Sequence, residues 1–219
     1  GLYPRQQAYI TMDRLLEYGS VTREAADLLK ILAAARYNIF VSGGTGAGKT
    51  TFLNALSEFI PPEERVITIE DSAELKLAHI ENLVRLETRN ANGEGQGAIG
   101  IGMLIRAALR MRPDRIVIGE VRGQEAVDLL QAMNTGHDGS FCTGHANSCR
   151  DMLARLETMV LMGMELPLPA IRSQIASALD VMVHVARMRN RSRKVTAIEE
   201  VVGIENGEIV LRPLFSLDG

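Results

Sequence analysis

Apolar positions along this chain switch repeatedly between two periods. The stretches NIFVS (38–42), RVITIE (65–70) and RIVIG (115–119) are short and almost continuously apolar. Such runs, bounded by breakers, predict strands buried on both faces of a parallel sheet. Between them the apolar positions recur at helical spacing. The segment 23–36 is apolar at Ala26, Leu29, Leu32 and Ala33, and Thr22 stands before it as an N-cap. Further helices are predicted over 51–59, 103–111, 124–133, 148–162 and 169–179, and further strands over 83–88 and 140–143. Pro61-Pro62 breaks the chain between elements. The segment 90–102 holds five glycines in thirteen residues and reads as a loop. Beyond residue 180 the pattern turns to strands at 181–186, 196–202 and 208–214, with Asn206-Gly207 as a hairpin turn. The expectation is an α/β fold with a mostly parallel central sheet flanked by helices and a small β-rich C-terminal extension. It divides a single domain, 1–219, into lead-in helices (1–37), a nucleotide-binding core (38–180) and the β-rich part (181–219).

Composition narrows the classes. The 219 residues are 46% hydrophobic and 23% charged, which is ordinary for a globular domain. A net charge of −3 argues against a dedicated nucleic-acid binder, so no specific nucleic acid is expected as partner. No apolar run approaches the roughly 18 residues of a membrane span, and no signal peptide is visible. Cys142 and Cys149 supply no disulfide framework and fit a reducing compartment. The first residue is Gly rather than Met, so a fragment of something longer is expected.

The most specific motif is Gly43-Gly44-Thr45-Gly46-Ala47-Gly48-Lys49-Thr50, followed by Thr51. It matches the G-x-x-x-x-G-K-[ST] phosphate loop and lies between a predicted strand and a predicted helix. In that setting backbone N–H groups form a concave nest for the α- and β-phosphates. Lys49 would reach the β/γ-phosphates and Thr50 would ligate Mg²⁺. ATP and Mg²⁺ are the expected cofactors. A GTPase is disfavoured, because no N-K-x-D stretch follows to read guanine.

Two acidic clusters end strands. One is Glu70-Asp71-Ser72-Ala73-Glu74. The other is Glu120-Val121-Arg122, after the apolar strand at 115–119. Such acids can hold Mg²⁺ or position water, or they can merely cap the next helix. Glu120 directly ends an apolar strand, which fits helix capping less well. Asp71, Thr50 and Glu120 form the candidate metal set. Two histidines follow at glycine-containing strand boundaries, His137 and His145, and His145 is placed to sense a γ-phosphate. His137, Cys142, His145 and Cys149 lack the spacing of a structural zinc site. Arg85 and Arg89 would point to one face of a strand and are candidates to reach a nucleotide's γ-phosphate across a subunit boundary. Arg106, Arg110, Arg112 and Arg115 cluster around the strand at 115–119.

Four blocks occur in order: GGTGAGKTT, ITIEDSAEL, RMRPDRIVIGEVRG and TGHDGSFCTGHANS. Together with LVRLETR (83–89), LQAMNTGHDGS (130–140), HANSCRDMLARLETMV (145–160) and RSQIASALDVMV (172–183), they resemble the secretion-ATPase superfamily of type II and type IV secretion and type IV pili. The likeness is greatest to the Tad/Flp pilus assembly ATPases and runs from about Leu15 to near the C-terminus. It implies a RecA-like P-loop fold and a homohexameric motor that hydrolyses ATP. Its partners would be inner-membrane assembly platform proteins of a pilus or secretion system. Its place would be the cytoplasmic side, peripheral to the inner membrane. The resemblance puts functional positions at Lys49 and Thr50 (Walker A) and at Glu70, Asp71 and Glu74 (aspartate box). It adds Glu120 and Arg122 (Walker B), then His137 and His145 (histidine box). Glu74 and Glu120 both stand as the catalytic base. The family's N-terminal domain is expected to be missing from this chain. The chain departs from the family at Gly144, where an Ile or Leu is usual, and over AIGIGML (98–104), where an Arg is expected near residue 102. A DNA-translocating motor and a nucleotide-gated subunit without turnover are the competing classes. The methionine-rich stretch 158–164 is expected to be the core face of a helix end.

Overall fold

The computed structural model describes residues 10–217, so the first nine residues of the expected lead-in and the last two of the tail lie outside the described residues. Its elements are α1 (Met12–Glu17), α2 (Arg23–Ala34), β1 (Ile39–Gly43), α3 (Lys49–Ser57), β2 (Arg65–Glu70), β3 (Asn82–Glu87), α4 (Ile101–Leu109) and β4 (Arg115–Ile118). There follow α5 (Ala126–Asn134), β5 (Phe141–His145), α6 (Cys149–Gly163), α7 (Leu168–Ala178), β6 (Val181–Arg187), β7 (Arg193–Glu205) and β8 (Glu208–Ser216).

One eight-stranded sheet runs β3-β2-β4-β5-β1-β6-β7-β8. Strands β3 to β6 in that order are parallel, and β7 and β8 continue antiparallel. Both faces of the sheet are covered at β1, β4 and β5, which is why these inner strands are buried and mostly apolar, whereas the edge strand β3 is partly exposed. Alternate side chains divide between two cores. Phe40, Ile67, Ile69, Ile116, Ile118, Cys142 and Met182 pack with α4, α5, α6 and α7. Ile39, Val41, Val66, Val117, Phe141, Val181 and Val183 pack with α1, α2 and α3. The fold is thus a mostly parallel α/β sheet between two helical layers, with C-terminal antiparallel strands.

The predicted elements recur, with particular shifts. Thr22 caps α2, its hydroxyl accepting the N–H of Ala25 at 3.1 Å. Asn206 and Gly207 both take positive φ (50° and 79°), the pairing a tight hairpin needs. β6 does more than close an edge: it pairs in parallel with β1 and is an interior strand. The stretch 158–164 is divided. Met159 and Val160 enter the core, while Leu161 and Met162 are 52% and 63% exposed, because consecutive helical positions point apart.

Candidate active site

Parallel strands place all their carboxyl ends on one edge of the sheet. From β1 the chain passes into α3 on one face, and from the adjacent β5 it passes into α6 on the other. A crevice therefore opens between the ends of β1 and β5, the position at which open α/β sheets bind ligands.

The glycine loop of residues 43–48 lines this crevice. Gly48, the N-cap of α3, sits at φ 88°, and Gly46 is at φ 73°. These are left-handed conformations that a side chain would strain. They turn the loop so that the N-terminus of α3, with its unpaired N–H groups and positive dipole end, faces the crevice. Lys49, Thr50 and Thr51 form the first turn of α3 and are half-buried. The Lys49 ammonium donates to the Gly43 carbonyl at 2.8 Å, folded back across the loop. Partial burial holds it below the ordinary lysine range, the Glu120 charge opposes this, and the Arg122 charge adds to it. Glu120 therefore acts electrostatically on Lys49 across the end of β5.

Glu120 is half-buried. Arg122 donates to its Oε2 twice, through Nε at 3.1 Å and Nη2 at 2.8 Å. Arg122 also reaches Asp71 at 3.5 Å, and Asp71 accepts the Thr88 hydroxyl at 2.9 Å. Glu120, Arg122 and Asp71 thus form a chain of charge from β4 to β2. A Mg²⁺ ion held in part by nucleotide phosphates needs only one or two protein oxygens and keeps several waters. The Thr50 hydroxyl in the first turn of α3 and the Glu120 carboxylate near Lys49 suit that donor set. Asp71 and Glu120 both share Arg122, at 3.5 and 2.8 Å, so either carboxylate has to release it to join a metal.

Glu70 and Glu74 play different parts. Glu70 is buried, and its Oε1 accepts the N–H groups of Glu74 (3.1 Å) and Leu75 (3.0 Å). Burial raises the pKa of this carboxyl, against the pull of those two hydrogen bonds. Glu70 fastens the acidic loop to the end of β2, while the Glu74 side chain is exposed. Arg85 donates to the Leu75 carbonyl (2.9 Å) and Arg89 to the Gly97 carbonyl (2.8 Å), so both brace loops of their own chain.

The two histidines separate. His145 ends β5 at the crevice and is exposed. His137 precedes β5 at the opposite edge. A five-residue strand, about 17 Å long, lies between them. This placement sets His137 apart from the crevice of its own chain. The strand also keeps His137, Cys142, His145 and Cys149 from converging on one ion, and both cysteines are buried.

Both departures are glycines in close contact with neighbouring side chains. A Cβ at Gly144 would lie 2.8 Å from Met152 Sδ and 2.9 Å from Phe40 Cε1, so here the neighbours fill the space of a larger residue. A Cβ at Gly102 would lie 2.6 Å from Asp128 Oδ2, a carboxylate that Arg106 pairs at 3.0 Å.

Three groups at this edge were not singled out by the motifs. Ser42, just before the glycine loop, meets His184 of β6 (Oγ to Nδ1, 2.8 Å). Burial and the Lys49 charge hold His184 below the ordinary histidine range, so it is neutral at neutral pH, while Asp151 opposes the shift. The third is the β6–β7 hairpin, whose Arg193 donates to the Gly46 carbonyl at 2.9 Å. The signal for it was present, as arginines at 187, 189, 191 and 193 between two β-branched runs. A cavity of about 280 Å³ opens beside the loop, lined by Leu15, Tyr18, Val21, Phe52, Val185 and Val195 among others. It has the size and apolar lining of a site for a planar ring system.

Comparison with known proteins decides the lineage. The family described as "Type II/IV secretion system protein" matches residues 4–208. The chain belongs to this family. A putative conjugal transfer protein of Mycobacterium tuberculosis is 48% identical over 180 residues, which is 82% of this chain and 51% of that protein. The type IV secretion system protein PtlH of Bordetella pertussis is 43% identical over 164 residues, 74% of this chain and 48% of its own length. The crystal structure of the VirB11 ATPase from the Brucella suis type IV secretion system, in complex with sulphate, superposes with a TM-score of 0.74 at 34% identity, covering 91% of this chain and 58% of that one. The chain thus spans about half the length of the curated secretion and conjugation relatives it matches. Among the described residues no helix is long and apolar enough to cross a membrane.

Proposed function

We propose that this chain is the ATP-hydrolysing part of a motor subunit that powers protein secretion or pilus assembly. It would act as a homohexamer on the cytoplasmic side of the inner membrane, against assembly platform proteins there. The observation that carries the reading is the phosphate loop at the N-terminus of α3, with Lys49 folded onto the Gly43 carbonyl and Glu120 just past the end of β4 at the same edge of the sheet. The membership of a secretion family supports the physiological setting. The wording of the four motif blocks favours a Tad/Flp-type pilus motor within it.

In this reading the loop N–H groups bind the α- and β-phosphates and Lys49 the β- and γ-phosphates, and Lys49 leaves the Gly43 carbonyl to do so. Mg²⁺, which the Thr50 hydroxyl would help to hold, would supply positive charge against the phosphates. Glu120 orients the attacking water and accepts its proton, with Arg122 fixing the carboxylate through Oε2. His145, exposed at the end of β5, hydrogen-bonds the γ-phosphate.

The test is phosphate release from Mg·ATP by Glu120→Gln and Glu74→Gln, with nucleotide binding measured in parallel and protein concentration raised under light scattering. Glu120→Gln should keep binding and lose turnover by about 10²- to 10⁴-fold, while Glu74→Gln keeps most of it. Specific activity should climb as a hexamer-sized species appears. Turnover lost in Glu74→Gln but kept in Glu120→Gln would move the base to the acidic loop. Nucleotide binding without turnover at any concentration would favour a nucleotide-gated subunit.

A further inference from the structure

The connection between β6 and β7, residues 187–194, carries Arg187, Arg189, Arg191, Arg193 and Lys194 and no acidic residue. Arg187 and Arg193 are direct cross-strand partners and so share one face of the hairpin. Like charges in that relation repel, yet among the described residues no carboxylate pairs with either. Both reach the glycine loop instead. Arg193 Nε donates to the Gly46 carbonyl at 2.9 Å, and its Cδ would lie 3.0 Å from a Cβ at Gly48. Arg187 Nη1 would lie 3.5 Å from a Cβ at Gly46. The hairpin is held in place by its own hydrogen bonds: Met188 N to Ser192 O (2.7 Å), Arg191 N to Met188 O (2.9 Å), and both Ser192 N and Oγ to Asn190 Oδ1 (3.0 and 2.6 Å).

Two cations fixed side by side over a phosphate loop, with no acid to balance them, are complete only when an anion lies between them. The sheet order says which part of a nucleotide that is. β1 has two neighbours. On the β5 side lie His145 and Glu120, the γ-phosphate machinery. On the β6 side lie the hairpin and the apolar cavity, which Arg191 to Val195 also line. We infer that Arg187 and Arg193 form a clamp on the α/β-diphosphate of the bound nucleotide, at the end away from the scissile bond. Their substrate class is therefore any nucleoside diphosphate or triphosphate, and they hold product as firmly as substrate. The inference rests on the nucleotide site proposed above.

The test uses this chain with Arg187→Gln, Arg193→Gln, the double variant and Arg193→Lys, titrated with fluorescent Mg·ADP and Mg·ATP analogues and with adenosine. Thermal midpoints check the fold. Each glutamine variant should weaken ADP and ATP by the same factor, about tenfold, with the double variant weaker still. Arg193→Lys should recover part of the loss. Adenosine should bind all variants alike, and the turnover defect should enter KM rather than kcat. Unchanged ADP and ATP affinity in the double variant would overturn the clamp. So would a loss confined to ATP with a fall in kcat, since that places the arginines on the γ-phosphate. If the parent chain binds neither nucleotide, the site reading itself fails and the clamp with it.

Discussion

The two edges of the sheet use the same residue types to opposite ends. At the edge where strands begin, Arg115 is fully buried. It donates through Nε to both oxygens of Glu64 at 3.1 Å and through Nη1 to the carbonyls of Ala33 (2.7 Å) and Gly139 (3.4 Å). Its guanidinium also lies 5.9 Å from the Phe141 ring centroid, and Arg36 takes a second pairing with Glu64. Asn38 accepts from Gly139 and Ser140 and donates to Ala178. At the edge where strands end, the Arg122 side chain is 68% exposed and shared between Asp71 and Glu120. Lys49 there holds only a loop carbonyl that a phosphate can displace. The Arg115–Glu64 pair at the first edge is buried, so its charges hold the fold. The second is exposed and exchangeable, so its charges can change partners during a reaction.

The sharpest break in this contrast is Lys49→Ala, which removes the cation expected on the phosphates. Nucleotide affinity should fall by about 10- to 100-fold or more, with little change in thermal stability. Titration with a fluorescent ATP analogue would read it, and unchanged affinity would mean that the ammonium never reaches the ligand. The matching break at the other edge is Glu64→Ala. It strands the Arg115 charge in the interior and should cost about 3–5 kcal/mol, visible in urea unfolding. A loss within the range of an exposed ion pair would show that Arg115 finds water.

Gly144→Leu tests whether the crevice strand has room. Its Cβ collides with Met152 and Phe40, so overpacking should cost about 1–3 kcal/mol. Met152→Ala in the same chain should restore part of that loss. His184 supplies a pH signature. Its folded pKa is depressed by burial and by Lys49, so its contribution to stability is complete above the unfolded value near 6.5 and is lost as pH falls through the folded value. Unfolding from pH 8 to 5 should show a decline below pH ~6.5 that His184→Gln reduces. An identical decline in the variant would assign it to other groups. The smallest effect belongs to His137→Ala, which should leave turnover unchanged because β5 separates it from the crevice.

Much of this contrast was legible in the sequence. The glycine loop, the apolar strands ending in acids and the order of the motif blocks placed Lys49, Thr50 and Glu120 correctly at one edge, because a parallel sheet turns sequence order into a shared edge. What periodicity could not convey was which strands neighbour β1. His137 and His145 look equivalent in a paired motif, yet a strand begins after one and ends at the other. Glu70 and Glu74 look like a pair of acids, yet alternation buries Glu70 at the end of β2 and leaves Glu74 in the loop. The arginine hairpin went unread for the same reason. Nothing local to residues 187–194 says that β6 lies beside β1, which only long-range pairing decides.

The central claim is that the carboxyl edge carries the chemistry and the amino edge carries the stability. The most direct measurement is phosphate release from Mg·ATP per folded molecule in Glu120→Gln and Glu64→Gln side by side, with the folded fraction fixed by unfolding curves. The account predicts that Glu120→Gln loses turnover while keeping the parent's stability, and that Glu64→Gln loses stability while keeping turnover per folded molecule. Parent-like turnover in Glu120→Gln, or loss of turnover in fully folded Glu64→Gln, would contradict it.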